Sequence, residues 1–259
     1  MSSSVPTQIR VIARRSVIRT FRQPAAVFPL IMFPLILFAI NSSGLSSATK
    51  LPGFPASRYI DFAIVATFVQ SALFASTSAG SGLAEDIERG FLNRLALTPM
   101  RGVSLIVGQL AGGIAVALVA SITYLIVGFA VGVHIAAGPA GVVLLMLLSC
   151  ATALTFASVG AWMALRTGSS EAVQGLFPLL FVAFFLSSIN LPRNLMTVDW
   201  FHTLATINPV SYLVEGMRSL VITGWDGAAL AKDIGVLVVG SALALTACSR
   251  SLRLRLVRT

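Results

Sequence analysis

The sequence predicts an all-α membrane protein with six transmembrane helices, and three observations predict it. Apolar residues make up 56% of the 259 positions and mean hydropathy is +0.91, more apolar surface than a soluble domain of this size can hide. Apolar stretches recur along the chain at the length needed to cross a hydrocarbon core of ~30 Å. Charged residues are only 10% of the total and gather in the gaps between those stretches.

Residues 5–22 read as an amphipathic helix. Val5, Ile9, Ile12, Ala13 and Ser16 follow one stripe, with Arg10, Arg14, Arg15, Arg19 and Arg22 on the other side. Such a helix is expected to lie on the anionic cytoplasmic leaflet. The spans follow at 25–44, 60–84, 103–133, 140–165, 173–191 and 233–249. The first resembles a signal peptide, with arginines before an apolar run. Pro24, Pro29 and Pro34 interrupt that run and no A-x-A site follows, so the segment is expected to be kept as a span. The third is long enough to tilt.

Between the second and third spans stands a charged island, Glu85 to Pro99. Each ion in it would be costly in hydrocarbon, so it should sit at a membrane surface. Ile87, Phe91 and Leu95 share one helix face, Glu85 and Arg89 form an i,i+4 pair, and Thr98-Pro99 supplies a stop. Lys and Arg in alternate gaps divide 13 against 5. The richer side carries both termini and the island, which places them in the cytoplasm.

Residues 192–232 read as an outer helical hairpin dipping into the leaflet. Val210, Leu213, Val214, Met217, Leu220 and Val221 form a helical stripe that begins at Asn208-Pro209 and stops near Gly224. Glu215 and Arg218 are placed to pair on its wetter face, and Trp200, Tyr212 and Trp225 are interfacial residue types. Gly108/Gly112 and Gly128/Gly132 are G-x-x-x-G pairs, where helix backbones approach closely, within the chain or at a subunit interface.

The chemistry is sparse. Net charge is +9, but the basic residues flank apolar spans, which argues against nucleic acid. Cys150 and Cys248 fall inside spans with no metal or disulfide spacing, and read as small buried apolar residues. His134 and His202 fall near span ends and read as surface residues. No catalytic, cofactor-binding or metal-binding motif occurs. Neither Lys50 nor Lys232 closes a phosphate-binding loop, so the chain is not expected to hydrolyse ATP and is not read as an enzyme. Asp61, Glu171 and Asp233 lie at span ends, where hydration is inexpensive, rather than deep in a bundle as in ion-coupled carriers. The energy source should then lie outside this chain.

Two stretches resemble the ABC-2 type transporter permeases, in particular the drug-exporter branch typified by daunorubicin-resistance permeases. The first is Glu85–Pro99. The second runs from Phe185-Leu186-Ser187-Ser188 through Leu191-Pro192 to Asn208-Pro209-Val210-Ser211-Tyr212 and Glu215-Gly216-Met217-Arg218. The resemblance covers nearly the whole chain, 1–259, as a single transmembrane domain. It implies a subunit that pairs with a second copy or a sibling permease. It also implies two ATP-binding-cassette subunits, which bind the ATP and Mg.

By the same resemblance, 5–22 matches an interface helix and 85–101 a coupling helix seated in the ATPase through Glu85, Asp86, Glu88, Arg89, Gly90, Leu92, Arg94, Leu95, Thr98 and Pro99. Phe91 and Asn93 depart from the family pattern. The outer hairpin motif is Asn208, Pro209, Ser211, Tyr212, Glu215 and Arg218. The second and fifth spans would line a substrate path with Phe68, Ser71, Phe74, Ser76, Phe181 and Phe184. Membrane lipid and an amphipathic drug-like or lipid-like substrate are the implied small partners, with export across the cytoplasmic membrane. A lipid- or polysaccharide-exporting permease and a non-transporting membrane scaffold or assembly factor are the alternatives.

Overall fold

The computed structural model describes residues 5–90 and 102–258, and among them all regular structure is helical. The helices are α1 (Val5–Phe21), α2 (Pro24–Gly44), α3 (Tyr59–Glu88), α4 (Gly102–Ala130), α5 (Gly138–Thr167), α6 (Ser170–Phe185), α7 (Asp199–Ile207), α8 (Pro209–Ile222) and α9 (Gly227–Arg258). Of these, α2, α3, α4, α5 and α9 are long and apolar enough to cross a membrane. Short 3₁₀ turns lie at Ser46–Lys50 and Arg193–Leu195.

Sequence accounts for most boundaries. Pro24 opens α2, where its missing N–H costs nothing, and the helix continues through Pro29 and Pro34. Asn208 caps α8 by accepting from Val210 N at 2.9 Å. Asp226 accepts from the amides of Ala228 and Ala229 and starts α9 six residues earlier than the apolar run suggests. The expected span 173–191 is shorter as a helix, because α6 stops at Phe185. Its last carbonyls are taken by a side chain: Asn208 Nδ2 donates to Ala183 O at 2.5 Å and Leu186 O at 3.1 Å. At 16 residues α6 is only about 24 Å long.

Helix α3 is the axis of the bundle and packs against α2, α4, α5, α6 and α8. Two core layers form around it. One is aromatic and large, with Phe62, Phe68, Tyr124, Leu145, Met217 and Leu220. The other is built of small residues, among them Ala75, Ala79, Ala153, Ala157 and Ala161, so that α3 and α5 nearly touch. A Cβ added at Gly160 would stand 1.9 Å from the Ser76 backbone oxygen. Gly160→Ala is therefore expected to cost about 2 kcal/mol through forced separation of α3 and α5, read as a lowered unfolding temperature in detergent.

The outer surface is apolar: Ile126 of α4, Leu147 of α5, Leu179 of α6, and Val238 and Leu243 of α9 all stand exposed. In a bundle with no charged covering, such residues face lipid. Multiple apolar helices with apolar outward faces make this a multi-pass membrane protein.

Hydrogen bonds sort the helix ends into two groups. At one end, Ser170 N of α6 donates to Glu88 of α3 at 3.0 Å, and Arg255 of α9 donates to Leu165 O of α5 at 2.8 Å. At the other, Tyr59 OH of α3 donates to Asn190 O at 3.1 Å, and Ala136 and Ala137 N before α5 donate to Val221 and Leu220 O of α8. The first G-x-x-x-G pair acts inside the chain. Gly108 and Gly112 receive Ile12, Ser16 and Thr20 of α1, and Gly128 lies against Ile64.

Candidate functional site

Glu85–Glu88 are not the start of a separate helix; they form the last turn of α3, which Gly90 ends with φ +68°. Leu92, Arg94, Leu95, Thr98 and Pro99 lie outside the described residues. Carboxylates at a helix C-terminus oppose the helix dipole and need cations. They have them. Arg15 Nη1 and Nη2 donate to Asp86 Oδ2 and Oδ1 at 3.1 and 3.0 Å. Arg19 donates to Asp86 Oδ1 at 3.1 Å and to Glu85 Oε2 at 2.6 Å. From α4, Gln109 Nε2 donates to Asp86 Oδ2 at 2.6 Å. Asp86 is 2% exposed, so one buried carboxylate gathers donors from α1 and α4.

The outward members of the turn are Glu88, which holds the first turn of α6 through Ser170 N, and Arg89, 3.4 Å from Glu85. The end of α3 is thus tied to α1, α4 and α6. Arg15 and Arg19 read in sequence as lipid-leaflet cations; instead they turn inward to acids. Two signals pointed that way. The arginines are one helical turn apart, matching adjacent acids, and Gln109 is a lone amide in an apolar helix, which must find a partner.

At the opposite end, the hairpin motif forms a second polar cluster. Arg218 is 6% exposed and donates to Ser188 O at 2.8 Å and Ile189 O at 2.9 Å, with its guanidinium 3.5 Å from the Phe62 ring centre. Burial pulls this guanidinium below the ordinary arginine range, with Glu215 and Tyr59 opposing. The expected Glu215–Arg218 pair does not form: Glu215 binds Arg193 through both guanidinium arms. Burial pulls Arg193 down, and the Glu215 carboxylate more than reverses this, so it ends above its usual range. Arg193 also stacks on Tyr212, whose OH donates to Thr206 O at 2.7 Å. Ser211 Oγ accepts from Ser188 N at 3.0 Å. The predicted α8 stripe is the buried face, Val210 through Val221.

The candidate path residues separate. Phe68, Ser71, Ser76 and Phe184 are buried within this one chain, and Phe68 meets Tyr124 edge-on at 5.6 Å. Phe74 and Phe181 are partly open and belong to an aromatic run with Phe33 and Phe177. His134 and His202 are exposed and Cys248 is buried. Asp61 is bound by Arg58 and by His134 N. Asp233 departs from expectation: it opens no hydrated span end but lies fully buried inside α9, against Gly216.

The family model for the ABC-2 type transporter matches residues 7–222, from α1 to the end of α8. A relative, the daunorubicin resistance ABC transporter permease protein DrrB1 of Streptomyces coeruleorubidus, is 27% identical over 205 residues, covering 77% of this chain and 69% of its own length. With the family model spanning most of its length, the chain belongs to the ABC-2 type transporter family.

Proposed function

We propose that this chain is the membrane subunit of an exporter that moves an amphipathic molecule out across the cytoplasmic membrane, driven by ATP hydrolysis in two separate subunits. The observation that carries this reading is the wiring of the α3 end. Glu88 and Arg89 stand exposed, while Asp86 behind them grips α1 and α4 and Glu88 grips α6. Force applied to 85–101 by an ATPase would reach three helices at once.

In this reading α6 completes six crossings, both termini and the 85–101 segment face the cytosol, and the hairpin 192–232 lies in the outer leaflet. Two permease chains, identical or sibling, meet along a seam to which Phe74 and Phe181 contribute. The name of the relative, a daunorubicin resistance permease, supports a drug-like amphiphile as cargo.

The test is reconstitution of the complex with its ATPase in vesicles. Glu88→Lys or Arg89→Glu is expected to leave ATP hydrolysis running while export falls about tenfold, the loss that removal of ~1.4 kcal/mol of coupling produces. Unchanged export in both variants would overturn the coupling role. Failure to purify with any ATPase would favour a scaffold.

A further inference from the structure

Between α1, α2, α3, α4 and α6 lies a cavity of about 400 Å³, with all of its lining supplied by one chain. It opens beside the Asp86 cluster. From the sequence side, α3 supplies a run of small residues there, Thr77 to Gly82, which leaves room that larger side chains would fill.

The lining has a defined chemistry. Ser16 and Thr20 of α1 and Thr77 of α3 donate to backbone carbonyls, at 2.9, 2.9 and 3.0 Å, and each hydroxyl oxygen keeps acceptor capacity. Ser78, Ser81 and the amides of Gln23 and Gln174 add further donors and acceptors. The charges nearly cancel, because Arg15 and Arg19 are already engaged by Asp86 and Glu85. An anionic head group would meet two cations whose charge the neighbouring carboxylates already compensate. Helix α2 adds an apolar wall through Val27 and Leu30.

We infer that this cavity is a loading site within one protomer for a neutral amphiphile with a hydroxyl-bearing, sugar-like head and an apolar body. The head would exchange hydrogen bonds with the hydroxyl and amide lining while the body lies along Val27 and Leu30. The inference deepens the export reading and rests on it for the side of the membrane from which cargo enters.

The experiment uses the full chain in nanodiscs of phosphatidylethanolamine and phosphatidylglycerol. The probe is an alkyl maltoside with a diazirine in its chain, and crosslinked residues are mapped by mass spectrometry. Label is expected in 27–30 and 77–82. Unlabelled dodecyl maltoside should compete at least about tenfold better than dodecyl sulfate. Gly82 offers a way to fill the site, since a Cβ there meets nothing within 4 Å. Gly82→Leu should cut label in these segments about tenfold without lowering the unfolding temperature.

Label spread over lipid-facing residues such as Leu147 and Leu243, without competition, would overturn the site. Better competition by dodecyl sulfate would overturn the neutral class in favour of an anionic head group. The competition arm needs no variant, so misfolding of Gly82→Leu would not rescue the idea. The export reading is tested separately: absent label leaves it standing, whereas a reversed topology leaves the site standing on the opposite face.

Discussion

Asp86→Ala is expected to destabilise the protein by about 3 kcal/mol and to release α1 from the bundle. Removing one partner of a buried ion cluster costs ~3–5 kcal/mol, because the remaining charges are left without compensation. The lower end applies here, since the Arg15 side chain is 41% exposed and can rehydrate. Arg19 and Gln109 are less free to do so. Asp86→Asn keeps shape and one acceptor and should lose roughly half as much. Thermal unfolding in detergent measures the loss. Trypsin reports the mechanism: the arginines of α1 should become rapid cleavage sites in Asp86→Ala and stay protected in the parent. A variant with parental melting and parental digestion would show that Asp86 ties nothing together.

Arg218→Ala carries the second large effect, also about 3 kcal/mol. It orphans two buried carbonyls, Ser188 O and Ile189 O, at ~1–3 kcal/mol each, and removes the cation over Phe62. Loss of a desolvated charge offsets part of this. Arg218→Lys can serve only one carbonyl well and should recover about half. Glu215→Gln provides the contrast. Its pair with Arg193 is partly hydrated, with side chains 22% and 28% exposed, so the change should cost no more than about 1 kcal/mol. Equal losses in Arg218→Ala and Glu215→Gln would instead mean that the two residues act as a pair.

Hydropathy and helical spacing made the bundle legible, because apolar spans and the α8 stripe are properties of consecutive residues. The α8 face from Val210 to Val221 could be written down from its period alone. Partners distant in sequence could not. Arg15 and Asp86 are 71 positions apart, and the one-turn spacing of Arg15 and Arg19 fits an anionic lipid surface as well as it fits two adjacent acids. The Arg193–Glu215 pair was hidden for a related reason: Arg218, closer in sequence, looked like the natural partner, but its side of α8 is the buried one. Span ends failed where a side chain intervened, as Asn208 does at α6 and Asp226 does at α9. Phe68 and Ser71, expected on a substrate path, are buried within the single chain because α3 stands at its centre.

Coupling to ATP hydrolysis requires the end of α3 to face the cytosol, where a separate ATPase can reach it. The direct measurement places a single cysteine at Glu88 in a background with Cys150→Ser and Cys248→Ser. The second of these replacements keeps the donor to Ser158 O. A membrane-impermeant maleimide is then applied to intact cells and to inverted vesicles. Labelling is expected in the vesicles only, with protection when the ATPase is bound. Labelling of intact cells would contradict that orientation.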